Sequence, residues 1–149
     1  MTTSPRSVLA IDFGTQKIGI AIGQSITGTA TALDTLPVRS GKPHWPNLIA
    51  LIETWNPETI VVGLPLNMDG SESELSGKAR QFARRLQAQV NQPVQLMDER
   101  LTSREARSLQ YARHPNPRSR QPHQHSLHRV DAIAAKLIAE SYLASLPST

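Results

Sequence analysis

The run Thr59 to Leu64 (TIVVGL) restricts this chain more than any other segment. No polar side chain follows Thr59 in it, so neither face of the strand it forms can meet water. Such a strand belongs at the centre of a sheet covered on both sides, as in α/β layer structures. The chain has 149 residues. That suffices for one core and is too short for two full lobes. A single domain over residues 1–149 is therefore expected.

The flanking segments agree with this reading. Ser7 to Phe13 (SVLAIDF), Ile18 to Ile22 (IGIAI) and Thr29 to Leu36 read as three strands with short polar connections, which favour antiparallel neighbours. Trp45, Leu48, Ile49, Ile52 and Trp55 then recur at helical spacing, and both tryptophans are expected in the core. After TIVVGL, the turn-rich Pro65 to Ser73 leads into a stripe of Leu75, Ala79, Phe82, Leu86 and Val90. Ser71 and Glu74 have capping-box spacing at its start. Val94 to Met97 reads as a short strand ending in Asp98 and Glu99, and Thr102 to about Arg113 as a helix. Residues 114–128 are rich in proline and histidine and read as a mobile basic loop. From Arg129 a largely apolar helix closes the chain. No segment has a signal-peptide pattern or the roughly 20 apolar residues of a membrane span, so a cytoplasmic protein without membrane contact is expected.

Composition narrows the chemistry. There is no cysteine, which removes disulfides, thiolate metal sites and a cysteine nucleophile. Sixteen lysines and arginines against 12 acids give a formal charge of +4 and suggest a polyanionic partner. The charge is uneven. Residues 100–129 carry seven arginines and one acid, whereas the rest carries nine bases and eleven acids. Aromatic residues make up only 4%, which argues against reading single strands mainly by base stacking. Serine–histidine–acid catalysis has little support, since four of the five histidines lie in the proline-rich segment and no serine sits in a nucleophile elbow. His123, His125 and His128 fit a solvated basic loop better than a zinc site.

The carboxylates are more informative. Asp12 ends the first strand, Asp98 and Glu99 follow a later one, and Asp131 opens the terminal helix. Each has a structural alternative: Asp12 can shape the turn at Gly14, Asp98 or Glu99 can favour the start of the next helix, and Asp131 can cap its own. Together at one sheet edge they would share protons or hold a cation. Oxygen ligands from separate elements suit magnesium or manganese. Two such ions roughly 4 Å apart would activate water for phosphodiester cleavage.

Four segments then line up in order: Ile11-Asp12-Phe13-Gly14 with Lys17-Ile18-Gly19, Val61 to Ser71 (VVGLPLNMDGS), Asp98 to Ser103 (DERLTS) and Val130 to Ala135 (VDAIAA). They resemble the YqgF-type Holliday-junction-resolvase-like family of bacterial pre-16S rRNA nucleases. The resemblance spans nearly the whole chain. It implies an RNase H-like fold, with a five-stranded mixed sheet flanked by helices, and a divalent-metal nuclease site. Matched residue by residue, Asp12, Glu99 and Asp131 are the catalytic metal ligands. Asp98 points away from Glu99 and takes a supporting or structural role. The family commonly has arginine where Lys17 stands, and lysine keeps the charge for a nucleic-acid contact but loses bidentate phosphate recognition. Arg100, Arg104 and Arg107 begin a helix near Glu99 and are expected as phosphate contacts, with a solvated helix face as the alternative. Asn67 belongs to a loop expected near the sheet edge, where it can meet a sugar-phosphate backbone; the alternative is a loop that only leads into the next helix. The long proline-, histidine- and arginine-rich stretch also departs from the family's shorter, lysine-richer one.

The implied biology is 5′-end maturation of precursor 16S rRNA. The alternatives are resolution of four-way DNA junctions, a non-catalytic RNA- or transcription-associated binding factor, and a nucleotide-binding protein of the actin–sugar kinase type, which needs a second lobe. Structured RNA or branched DNA is the expected partner. No interface is visible in the sequence, so a monomer is expected, although junction resolvases act as two-fold dimers.

Overall fold

The computed structural model describes residues 6–99 and 124–146, the side chains of 124–132 excepted. Six strands form one sheet: β1 Ser7–Phe13, β2 Lys17–Gln24, β3 Thr29–Arg39, β4 Lys42–Pro43, β5 Thr59–Leu64 and β6 Val94–Asp98. The order across the sheet is β4-β3-β2-β1-β5-β6. β1, β2 and β3 form an antiparallel meander, and β5 and β6 run parallel to β1. The sheet is mixed, as expected. It has six strands rather than five because a two-residue edge strand, β4, folds back on Val38 and Arg39.

Short turns set the meander. Gly14 opens the β1–β2 turn where a Cβ would come within 2.6 Å of the Lys17 carbonyl oxygen, so no larger residue fits. Between β3 and β4 only Ser40 and Gly41 intervene, at φ of 52° and 74°. Two positive φ values in a two-residue loop define a type I′ hairpin, whose twist matches that of the paired strands.

Among the described residues three helices cover the sheet: α1 Trp45–Trp55, α2 Glu74–Gln87 and α3 Gln124–Ser145. α1 is capped by His44, whose Nδ1 accepts from the Asn47 N–H at 3.3 Å, and it ends on Asn56 in the left-handed region. One face of the sheet buries Leu9, Ile11, Phe13 and Ile60 against Leu48 and Ile52 of α1 and Ala79, Phe82 and Leu86 of α2. The other buries Val8, Ala10 and Val61 against Ile138, Ala139 and Leu143 of α3. The TIVVGL run is accordingly covered on both sides. A Cβ on Gly23 would lie 3.0 Å from Leu143 and 3.4 Å from Ala139, so α3 packs close to the backbone of β2.

Three details differ from expectation. The cap of α2 is Ser73 with Ser76, not Ser71 with Glu74. Ser73 Oγ accepts from the Ser76 N–H at 3.3 Å, and Ser76 Oγ accepts from the Ser73 N–H at 2.9 Å. Ser71 is instead held in the preceding loop, where its N–H donates to Asp69 Oδ1 at 2.9 Å and its carbonyl accepts from Asn67 N–H at 2.9 Å. Trp55 is 44% exposed, because α1 ends there and its last residue overhangs the core. Trp45 does pack against the core. α3 begins at Gln124, ahead of the expected Arg129. Residues 102–113 and 114–123, expected as a helix and a loop, lie outside the described residues.

Candidate active site

Strand alternation decides which acids share a face. On β1, Leu9, Ile11 and Phe13 face α1 and α2, which leaves Asp12 with Val8 and Ala10 on the α3 face. On β6, Val94 packs against the α1–α2 core and Met97 against the α3 core. Asp98 thus shares the face of Val94. Glu99, one residue beyond the strand, turns to the α3 side, where its carboxylate lies against Gly63 and Ile138.

Gly63 makes this approach feasible. A Cβ there would stand 2.7 Å from Glu99 Oε1, 3.0 Å from Glu99 Cγ and 2.7 Å from Ile138 Cδ1. Any side chain at position 63 would fill the space that the glutamate occupies. Glu99 Oε1 is buried in consequence. β5 lies between β1 and β6, so the backbones of β1 and β6 stand about 10 Å apart at the usual strand spacing. By leaning over Gly63, the Glu99 carboxylate crosses to the middle strand. The β1–β5 register pairs Ile11 with Val62. One step further along both strands places Asp12 beside Gly63.

α3 points its N-terminal end at the same edge. Ile138 sits at Gly63 near the C-terminal end of β5, while Leu143 sits at Gly23, opposite Val8 near the start of β1. The helix therefore runs antiparallel to β1. Residues before Ile138 continue toward the sheet edge where Asp12 and Glu99 lie. Asp131 stands seven residues, two turns and about 10 Å of helix, before Ile138. The backbone thus brings Asp12, Glu99 and the turn of α3 that carries Asp131 toward one end of the sheet. Among the described residues there is no cluster of three or more histidines and acids, and the side chain of Asp131 is not among them.

The other expected residues are placed as follows. Lys17 is the first residue of β2, half-buried and opposite Pro37. Asn67 is exposed in the loop after β5, and its side-chain amide donates to Ser71 Oγ at 3.0 Å. That loop is closed by a bridge between Leu66 and Glu72, and Glu72 pairs with Arg80 of α2. Arg100, Arg104 and Arg107 lie outside the described residues. Gly63 was missed as a site residue. Its signal was a glycine inside an otherwise apolar strand, which marks a close approach of another group.

The residues present fit a divalent cation. Both described acids offer oxygen donors, which suit magnesium or manganese. The glycine cradle holds one of them, Glu99, on the Asp12 side of the sheet.

Comparison with known proteins agrees with this architecture. Residues 6–145 match the family model described as RuvX, Holliday junction resolvase. A protein of Saccharophagus degradans named "Putative pre-16S rRNA nuclease" is 46% identical over 97% of this chain and 97% of its own. One of the same name from Chromohalobacter salexigens is 48% identical over 93% of this chain and 90% of its own. Among solved structures, Thermus thermophilus RuvC bound to a Holliday junction superposes with a TM-score of 0.58 at 16% identity, covering 93% of this chain and 95% of that one. The Fowlpox virus resolvase complex gives 0.52 at 14% identity, covering 95% and 99%. These likenesses establish the RNase H-like resolvase fold. By the extent of the family match and the identity to its relatives, the chain belongs to the RuvX family of Holliday junction resolvase-like proteins.

Proposed function

We propose that this chain is a divalent-metal-dependent endonuclease that hydrolyses a phosphodiester bond of structured RNA, in the 5′-end maturation of precursor 16S rRNA. The observation that carries the reading is the Glu99 carboxylate leaning over Gly63 onto the face that bears Asp12. The choice of RNA rests on the name shared by relatives at 46% and 48% identity.

In this reading Asp12, Glu99 and Asp131 hold magnesium or manganese. The metal supplies an activated water and neutralises charge on the leaving oxygen. The chain's own residues do the positioning. Asp12 is fixed by β1, which is hydrogen-bonded on both sides by β2 and β5. Glu99 is fixed by the glycine cradle and by Ile138. Lys17, at the start of β2, offers a cation to the phosphate chain on the side of β1 away from Glu99. Arg100, Arg104 and Arg107 follow Glu99 in sequence and add phosphate contacts that orient the strand. Asn67 is presented on a loop tied down at both ends, where it meets the sugar-phosphate backbone. Asp98, on the opposite face, supports the end of β6. The protein acts in the cytoplasm as a monomer.

The second reading, cleavage of four-way DNA, is favoured by the family description and by the superposition on junction-bound RuvC. Competition between precursor 16S rRNA and a four-way DNA junction, at fixed salt with magnesium or manganese, separates the two. RNA cleavage by the wild type that is lost in Asp12→Asn is the expected result. Equal cleavage by both proteins would place the activity elsewhere. Preferential cutting of the junction would favour the second reading.

A further inference from the structure

The face opposite the acids holds a cavity of about 310 Å³ between the β3–β4 hairpin and α2. Its floor is aromatic. Phe13, Phe82 and Trp45 form a continuous stack, with ring centroids 4.9 and 5.5 Å apart and interplanar angles of 21° and 13°. These are three of the chain's six aromatic residues. The two phenylalanines are buried, so Trp45, half-buried, presents the accessible ring. Its rim is basic: Lys42 from β4 and Lys78 and Arg85 from α2 line it, and no acidic residue does. Lys78 has a loose pairing with Glu74 at 3.8 Å. Among the described residues neither Lys42 nor Arg85 lies within salt-bridge distance of a carboxylate.

We propose that this cavity binds a phosphorylated nucleotide, with its base against Trp45 and its phosphate among Lys42, Lys78 and Arg85. Three cations around one enclosure select a multiply charged anion, and a flat ring beside them selects a planar group. A nucleotide carries both within the size of the cavity. The tight turn through Ser40 and Gly41 sets Lys42 at the rim of the cavity. The floor residue Phe13 directly follows Asp12, so the cavity opens on the same end of β1 as the acids, on the reverse face.

The nucleotide has two sources: a free 5′-mononucleotide, or one unit of a bound RNA strand. Trp45 fluorescence in a Trp55→Phe background distinguishes them. The titration is done in EDTA, with 5′-mononucleotides in one arm and a short single-stranded RNA in the other, so it does not depend on catalysis or on metal. Saturable quenching is expected in at least one arm. A response to mononucleotide identifies a free-nucleotide site, and a response to RNA alone identifies a strand subsite. Arg85→Glu should weaken that binding about tenfold or more. The matched exposed change Arg84→Glu, outside the cavity, should weaken it less than about threefold, as a loss of general attraction would. Quenching in neither arm, or equal weakening by the two charge reversals, would overturn the proposal. Either result would leave the assignment of Asp12 and Glu99 unaffected.

Discussion

Glu99 occupies the space that a side chain on Gly63 would take, with Oε1 2.7 Å from the position of the missing Cβ. A glycine on the middle strand thus lets an acid from one neighbouring strand reach toward an acid on the other. Gly63→Ala should therefore act through Glu99. Ile138 blocks the other direction at the same 2.7 Å, so the new methyl cannot be accommodated by one small shift. Overpacking of this kind costs about 1–3 kcal/mol, and displacing a group that holds a metal ligand costs about 10- to 100-fold in activity. Urea unfolding and cleavage rates measured on one preparation check both effects.

Metal binding should be visible as stability. A ligand that binds only the folded state adds about 2.7 kcal/mol at a hundredfold excess over its Kd. Manganese is expected to raise the unfolding midpoint of the wild type. In Glu99→Gln and in Asp12→Asn the rise should largely vanish. An equal rise in all three proteins would remove these acids from the metal site.

The corrected cap of α2 gives a stability contrast. Ser73→Ala removes the acceptor for the Ser76 N–H and should cost about 1 kcal/mol. Ser71→Ala, at an exposed loop position, should stay within about 0.5 kcal/mol of the wild type. Reversal of that order in chemical denaturation would restore Ser71 as the cap.

Ser40→Gly should stabilise the fold. A left-handed conformation costs an ordinary residue about 1–2 kcal/mol, partly offset by the greater freedom glycine has when unfolded. With Ser40 at φ 52°, a net gain of about 0.5–1 kcal/mol is expected in thermal or denaturant unfolding.

The elements legible in the sequence are those with a local cause. TIVVGL marked β5 because a strand apolar on both faces is unusual, and the stripe through Ala79, Phe82 and Leu86 marked α2 because helical period survives any tertiary context. The α2 cap was misplaced because a serine with a capping partner three residues on occurs twice there, Ser71 with Glu74 and Ser73 with Ser76. Only the folded loop, bridged from Leu66 to Glu72, shows which serine is already engaged. Trp55 fits the period of α1, yet period says nothing about where a helix overhangs its core. Opposite faces for Asp98 and Glu99 followed from alternation alone. The cradle at Gly63 did not, because it joins a strand residue to one 36 positions away, just past the end of the neighbouring strand. The place of Arg85 at the cavity was not legible either, because the hairpin on the other side of that cavity lies far away in sequence.

Asp12 and Phe13 are neighbours on a strand bonded along both edges. Neither residue can shift along the strand without breaking two ladders, so the carboxylate on one face and the ring on the other keep a constant separation. A nucleotide seated on the aromatic side would lie at a set interval from a bond cut on the acidic side. The sheet edge would then work as a ruler, fixing where along a strand the cut falls by geometry rather than by reading bases.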